Sequence, residues 1–321
     1  MSLVNIKLYL NRTQFTYMER REFLTALGGT TPAAATVPVS GCLGSEGVSV
    51  LSAGSLAVPL DEGVGPSFER ETGIRYAGEY YGSNAVMRMV EDGQKNPDVV
   101  VSADAGLLRR RLYDEHTDWD AVFASNSVGI AYNPRTALGE RLESDESWYE
   151  VLRDADEGEV AMSDPDLDPL GYRAVQLFEL AEEKHGIDGF RDEMVSKTYQ
   201  EPEEPQLLTG VRSGSRAAAI AYENMAANPG LPFRELPDDL NFSDPEHAGD
   251  YAAASYTTDG GITIEGAPVL YNITVLEEAD RPDAGTEFVN YVLENRGRLA
   301  EDGLSLPETE FHGDPPEEVA V

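Results

Sequence analysis

The chain has a single cysteine, Cys42, among 321 residues. That excludes a disulfide framework and a cysteine-ligated zinc cluster. Basic residues are also scarce, with 24 Lys and Arg against 59 Asp and Glu, for a formal charge of −35. A surface so acidic repels phosphate backbones, which excludes nucleic acid as a partner. The four histidines, His116, His185, His247 and His312, are scattered, and no pair has the spacing of metal ligands. No Gly-x-Ser-x-Gly elbow is present, so nothing in the sequence points to an enzyme and no catalytic residue is expected. No apolar run is long enough to form a stable membrane span.

What the chain does have is enough apolar residue, 41%, to build ordinary cores. At roughly 150 residues per domain, its length suggests two of them. The acids are spread along the whole sequence, as in the stretch from Glu143 to Glu159. That pattern reads as a solvated acidic surface of the kind suited to very salty surroundings. Asp164, Asp166 and Asp168 have the spacing of a calcium loop. Pro169 stands where such a loop needs glycine and Val175 where it needs glutamate, so no bare metal cation is expected there.

The N-terminus reads as an address. Arg20-Arg21 is followed by a weakly apolar stretch rich in Ala, Thr and Gly, which ends at Val39-Ser40-Gly41-Cys42. This order resembles a twin-arginine export signal closed by a lipobox, with Cys42 as the lipidation site and mature N-terminus. Residues 1–41 are then the signal, with 1–17 an overlong start before Met18, and 42–47 a short tether. Without residues 1–41 the remaining chain carries a net charge of −37.

From Val48 the pattern alternates between short apolar runs, small-residue turns and amphipathic segments, which predicts a parallel α/β sheet. Strands are expected at Val48–Leu51, Ile74–Tyr80, Asp98–Ser102, Val128–Tyr132, Glu159–Met162 and Ala267–Leu276. Leu60, Val64 and Phe68 predict a helix, irregular because Gly63, Gly65 and Pro66 interrupt it. Further helices are expected around Leu107–Leu112, around Trp148–Leu152, after Asp168 as the longest, and over Thr286–Leu299. The stretch Ala217–Tyr222 fits a strand or a helix.

Three strand-to-helix joints carry a polar side chain at the helix start: Ser55, Ser83 and Asp168. Helix starts offer free N–H groups and partial positive charge, so hydroxyls there suit an oxyanion, although Ser and Asp are also ordinary caps. Ala53-Gly54-Ser55-Leu56, Gly82-Ser83, Ser102-Ala103-Asp104 and Phe123-Ala124-Ser125-Asn126 occur in that order. They are followed by Ser163-Asp164-Pro165-Asp166-Leu167-Asp168-Pro169-Leu170-Gly171-Tyr172-Arg173 and Ala221-Tyr222. This series resembles the archaeal molybdate/tungstate-binding proteins of ABC importers over about residues 48–310.

The resemblance implies a type II periplasmic-binding-protein fold, with two α/β lobes joined by two hinge crossings near Ser125–Ser127 and Tyr271–Thr274. Lobe 1 would comprise 48–126 and 272–321, and lobe 2 would comprise 127–271. It implies a ligand, molybdate or tungstate, held in the cleft by Ser55, Ser83, Asp168, Glu204 and Tyr222, with Arg173 holding local structure and no cofactor. Sulfate or another tetrahedral oxyanion is the alternative. The resembled family has its second acid in a Pro-x-Glu-x-x-Leu-Leu stretch, which Pro202-Glu203-Glu204-Pro205-Gln206-Leu207-Leu208 matches at Glu204, and Glu201 and Glu203 are close enough to leave the register open. The implied partners are an ABC permease and its ATPase at the outer face of the membrane, with the lipid on Cys42 as anchor. Glu223-Asn224 depart from the family, which often has Arg-Ser after the tyrosine.

Overall fold

The computed structural model describes residues 47–227 and 230–319. The signal, the lipobox cysteine and most of the tether lie outside the described residues.

The chain first lays down β1 (Gly47–Ala53), β2 (Arg75–Tyr81), β3 (Val99–Ser102) and β4 (Trp119–Ser125). It then crosses at Asn126–Ser127 into a second group: β5 (Val128–Tyr132), β6 (Val160–Ser163), β7 (Tyr199–Glu201), β8 (Ala218–Tyr222) and β9 (Phe233–Arg234). A hairpin, β10 (Ser255–Thr257) with β11 (Thr263–Glu265), follows. The chain returns as β12 (Leu270–Val275) and β13 (Glu310–Gly313). The result is a six-stranded sheet in the order β13-β4-β12-β3-β1-β2 and a five-stranded sheet in the order β7-β6-β8-β5-β9.

Neither sheet is wholly parallel, which corrects the expectation drawn from alternation alone. β1 runs parallel to β2 and β3, but β12 is antiparallel to both β3 and β4. The cause is connectivity. The returning chain arrives from the other lobe and slots between two strands already in place. In the second sheet β6 is parallel to β7 and β8, while β5 is antiparallel to β8 and β9.

Burial decides the ambiguous segments. β8 is Ala-Ala-Ile-Ala-Tyr, and alanine favours helix in isolation. It forms a strand because it lies between β5 and β6 with all five residues buried. β4 gave no strand signal because Asp120 interrupts its apolar run. That acid is fully buried and accepts from Arg109 through both oxygens, at 2.8 and 2.9 Å. The expected irregular helix is a π-type turn, Pro59–Val64, running into Gly65–Thr72, with Leu60, Val64 and Phe68 all in the core. The late helix spans Pro282–Glu294 and breaks before a short Gly297–Glu301 segment.

The longest helix, Pro169–His185, packs Ala174, Leu177, Phe178 and Ala181 inward, and Gly186 in the left-handed region ends it. Proline suits its first turn because that N–H has no helical partner.

Candidate functional site

Four of the expected residues stand at joints following strands, or one turn before a helix. Ser55 lies in a single tight turn, Gly54–Leu56, directly after β1. Ser83 opens the helix Ser83–Glu91 after β2. Asp168 caps Pro169–His185 after β6. Glu204 begins the short turn Glu204–Gln206 ahead of the helix Leu207–Ser213, and Tyr222 ends β8. Ser55 and Ser83 thus come from the six-stranded lobe; Asp168, Glu204 and Tyr222 come from the five-stranded one. All five are buried.

Two glycines let the lobes meet. A β-carbon on Gly54 would stand 2.7 Å from Glu204 Oε2, and one on Gly82 would stand 2.4 Å from the Leu167 carbonyl and 2.8 Å from Asp168 Cβ. Glycine is therefore required at both places by close approach. The Ala85 N–H donates to the Leu167 carbonyl at 3.1 Å, and Arg88 donates to the Asp166 carbonyl at 3.0 Å, so the lobes are in hydrogen-bonded contact.

The two serine hydroxyls share a pattern. Ser83 Oγ accepts from the Ala103 N–H at 3.0 Å, and Ser55 Oγ accepts from the Tyr271 hydroxyl at 3.0 Å. Each serine thereby uses acceptor capacity on protein and keeps its own proton to donate.

The acids differ. Asp168 Oδ1 accepts from the Leu170 N–H at 3.3 Å, an ordinary cap, while Oδ2 has no protein partner. Glu204 is 1% exposed, and neither of its oxygens completes a hydrogen bond. Burying polar oxygens without partners is costly, so such groups mark a place built for something else. Burial raises the Asp168 carboxyl to about 7, against smaller opposing effects from Ser163, the Leu170 N–H and Arg173. Burial, and then the nearby charge of Asp168, push Glu204 well above the usual carboxylate range. The Ser55 hydroxyl and the N–H groups of Gly54 and Ser55 stand near enough to moderate that rise without closing a hydrogen bond.

Arg173 does not meet these acids directly. It donates to the Ala103 carbonyl at 3.1 Å, the Tyr222 hydroxyl at 2.6 Å and Asp104 at 3.3 Å, all buried. Tyr172 donates to the same Asp104 oxygen. Burial alone would raise Asp104, but Arg173 and Tyr172 outweigh it and hold the carboxyl below its ordinary value. Arg173 and Tyr172 belong to one lobe and Asp104 to the other, so this triad spans the cleft.

Sequence reasoning missed Asn126, Asn224 and Tyr271. Asn224 Nδ2 donates to the Ser55 carbonyl at 2.7 Å, and Asn126 Nδ2 donates to Asn224 Oδ1 at 2.8 Å and to the Tyr271 hydroxyl at 3.2 Å. The polar Ser125-Asn126-Ser127 cluster between two apolar strands was the available signal for Asn126. Tyr271 sits inside an apolar strand and gave none. The aspartates of the discounted calcium motif serve turns: Asp164 Oδ1 accepts from the Asp166 N–H at 2.9 Å, and Asp166 Oδ1 from the Asp259 N–H at 2.8 Å. Among the described residues no group of three or more acids, histidines or cysteines could hold a metal ion, and no helix is long and apolar enough to cross a membrane.

Two α/β lobes closing on a buried polar cleft define a type II periplasmic-binding-protein fold. Two solved structures share it: the periplasmic molybdate-binding protein of Azotobacter vinelandii and the sulfate-binding protein SubI of Mycobacterium tuberculosis. The first has a TM-score of 0.60 at 13% identity, covering 81% of this chain and 100% of that one. The second has a TM-score of 0.55 at 17% identity, covering 82% of this chain and 88% of that one. In sequence, the profile described as bacterial extracellular solute-binding protein matches residues 48–304.

An uncharacterised solute-binding protein of Halobacterium salinarum is 42% identical over 297 residues, 91% of this chain and 94% of that protein. A Haloferax volcanii protein provisionally named an ABC transporter molybdenum-binding protein is 39% identical over 79% of this chain and 82% of its own length. The molybdate/tungstate-binding protein WtpA of Pyrococcus abyssi is 30% identical over 78% of this chain and 80% of its own. The chain belongs to the bacterial extracellular solute-binding protein family, in the group that contains these three archaeal relatives. It is a solute-binding protein of an ABC transporter, a class that works with a permease and an ATPase, and not an enzyme.

Proposed function

We propose that the cleft captures molybdate or tungstate and that the protein delivers it to the permease. The observation that carries this reading is the pair of buried acids, Asp168 and Glu204, with three carboxylate oxygens lacking protein partners beside serines that keep a proton to donate. Ionised carboxylates only repel sulfate. Molybdenum and tungsten are large enough to accept added oxygens, so the same carboxylates become ligands that raise the metal's coordination from four towards six. Ser55 and Ser83 donate to the oxo groups, and Tyr222, its oxygen occupied by Arg173, offers its proton to the same cleft. The names of the Haloferax and Pyrococcus relatives agree with this assignment.

Sulfate is the second reading, favoured by the raised pKa of both acids, since a protonated carboxyl can donate to a sulfate oxygen. Calorimetry with molybdate, tungstate, sulfate and phosphate separates the two. Tungstate or molybdate should bind at least a hundredfold tighter, equivalent to about 2.7 kcal/mol. Equal or tighter sulfate binding refutes the assignment. X-ray absorption of the bound metal should reveal longer oxygens beyond the four oxo neighbours; four alone would remove Asp168 and Glu204 as ligands.

The twin-arginine and lipobox order further supports export and anchoring of the mature chain at the outer membrane face through lipid on Cys42. One lipid chain binds marginally, so stable anchoring needs a second chain or added contacts.

A further inference from the structure

The hydrogen bonds behind Ser55 have a single possible direction. Asn126 Oδ1 accepts from the Ser127 N–H at 3.0 Å, which fixes the amide so that its Nδ2 faces Asn224 and Tyr271. An amide nitrogen only donates. The Tyr271 oxygen therefore receives a proton from Asn126, and its own proton is left for Ser55 Oγ. Ser55 accepts that proton, so its remaining hydrogen has to turn away from Tyr271. The Glu204 carboxyl group stands close by, with its Oε2 beside Gly54. Tyr271 is fully buried, and burial raises its pKa, so it stays a hydroxyl with a proton to give. The Ser55 main chain is held as well, by the Asn224 amide from the other lobe.

We propose that Asn126 and Tyr271 are positioning residues that aim the Ser55 proton into the cleft and so make this serine an obligatory donor. Asn126 lies on the first crossing between lobes, and Tyr271 lies one residue into the strand that follows the second. The donor character of the site is thus set at the hinge, with Tyr271 one hydrogen bond behind the serine and Asn126 two. With one lone pair of Ser55 taken by Tyr271, an oxyanion finds a proton already oriented. The inference rests on the reading of the cleft as an oxyanion site.

The test is a double-mutant cycle with tungstate as the probe, measured by calorimetry. Ser55→Ala and Tyr271→Phe should each weaken binding about tenfold, and the double variant should bind no more weakly than Ser55→Ala alone. A merely structural tyrosine gives additive losses, about a hundredfold in the double variant, and that result overturns the proposal. Asn126→Asp replaces the donor by an acceptor, draws the Tyr271 proton away from Ser55 and should also cost at least about tenfold. Unchanged binding by that variant overturns the proposal too. If the wild-type protein binds none of the four oxyanions, the functional reading fails. The relay is then judged from urea unfolding of the same variants without ligand, where additive Ser55→Ala and Tyr271→Phe losses overturn it.

Discussion

Replacing Asp168 by asparagine should stabilise the ligand-free protein while damaging its function. The amide keeps an oxygen for the Leu170 N–H and removes a buried charge whose other oxygen has no protein partner. In the unfolded chain Asp168 ionises near 3.8; in the folded chain it holds its proton up to about 7. Between those values the folded state binds more protons than the unfolded state, so stability falls as pH rises. The loss accrues at about 1.4 kcal/mol per pH unit and totals about 4 kcal/mol above pH 7. Asparagine does not titrate and escapes it. Glu204 shares the repulsion, so Asp168→Asn also relieves its neighbour, and Glu204→Gln should act in the same direction. Urea unfolding of variant and wild type, in molar KCl to screen the acidic surface, should give equal stabilities near pH 4. The variant should gain about 4 kcal/mol by pH 8. The same substitution should weaken tungstate binding and leave sulfate binding unharmed. A stability difference that does not change between pH 4 and 8, or a variant less stable at pH 8, would refute the argument that burial holds this carboxyl protonated.

Ser83→Ala should weaken oxyanion binding about tenfold and also cost about 1–3 kcal/mol of stability, because the buried Ala103 N–H loses its acceptor; calorimetry and unfolding read the two effects separately. Gly82→Ala places a methyl 2.4 Å from the Leu167 carbonyl, so small-angle scattering in saturating tungstate should give a larger radius of gyration than wild type, and superimposable curves would count against closure at this contact. Cys42→Ser should release the protein from membranes into the medium, and its retention there would remove the lipid anchor from the account.

The sequence was most informative where a residue's role is local. Helix starts at Ser83 and Asp168 follow from small residues after an apolar run, and β5 was read with its observed bounds. Glu204 was placed by the match to the resembled family's Pro-x-Glu-x-x-Leu-Leu stretch, among neighbouring acids that this match could not separate; Glu204 is buried, Glu203 is exposed and Glu201 is half-buried at the end of β7. What stayed hidden depends on contacts between distant segments. Asp120 disguised β4 because its partner Arg109 lies on the preceding helix, and a lone acid in an apolar run reads as surface. Tyr271 touches Ser55 across 216 positions of sequence, and a tyrosine in a strand carries no mark of that contact. The direction of β12 was equally hidden, since periodicity is the same for parallel and antiparallel strands.

The triad of Arg173, Tyr172 and Asp104 would act as a catch whose strength enters every affinity the protein shows. The bonds of Tyr172 and Arg173 to Asp104, and of Arg173 to the Ala103 carbonyl, join one lobe to the other. Opening the cleft hands each group to water, which replaces most of what is lost, so the catch biases the lobes rather than locking them. A ligand's apparent affinity is its intrinsic affinity scaled by the fraction of molecules already shut. Weakening the catch should therefore loosen the hold on every solute equally, without changing which one is preferred. On the proposed reading, selection would reside in the acids and hydroxyls of the cleft. On that same reading, the readiness to let go would reside in three residues, none of which is a proposed ligand contact.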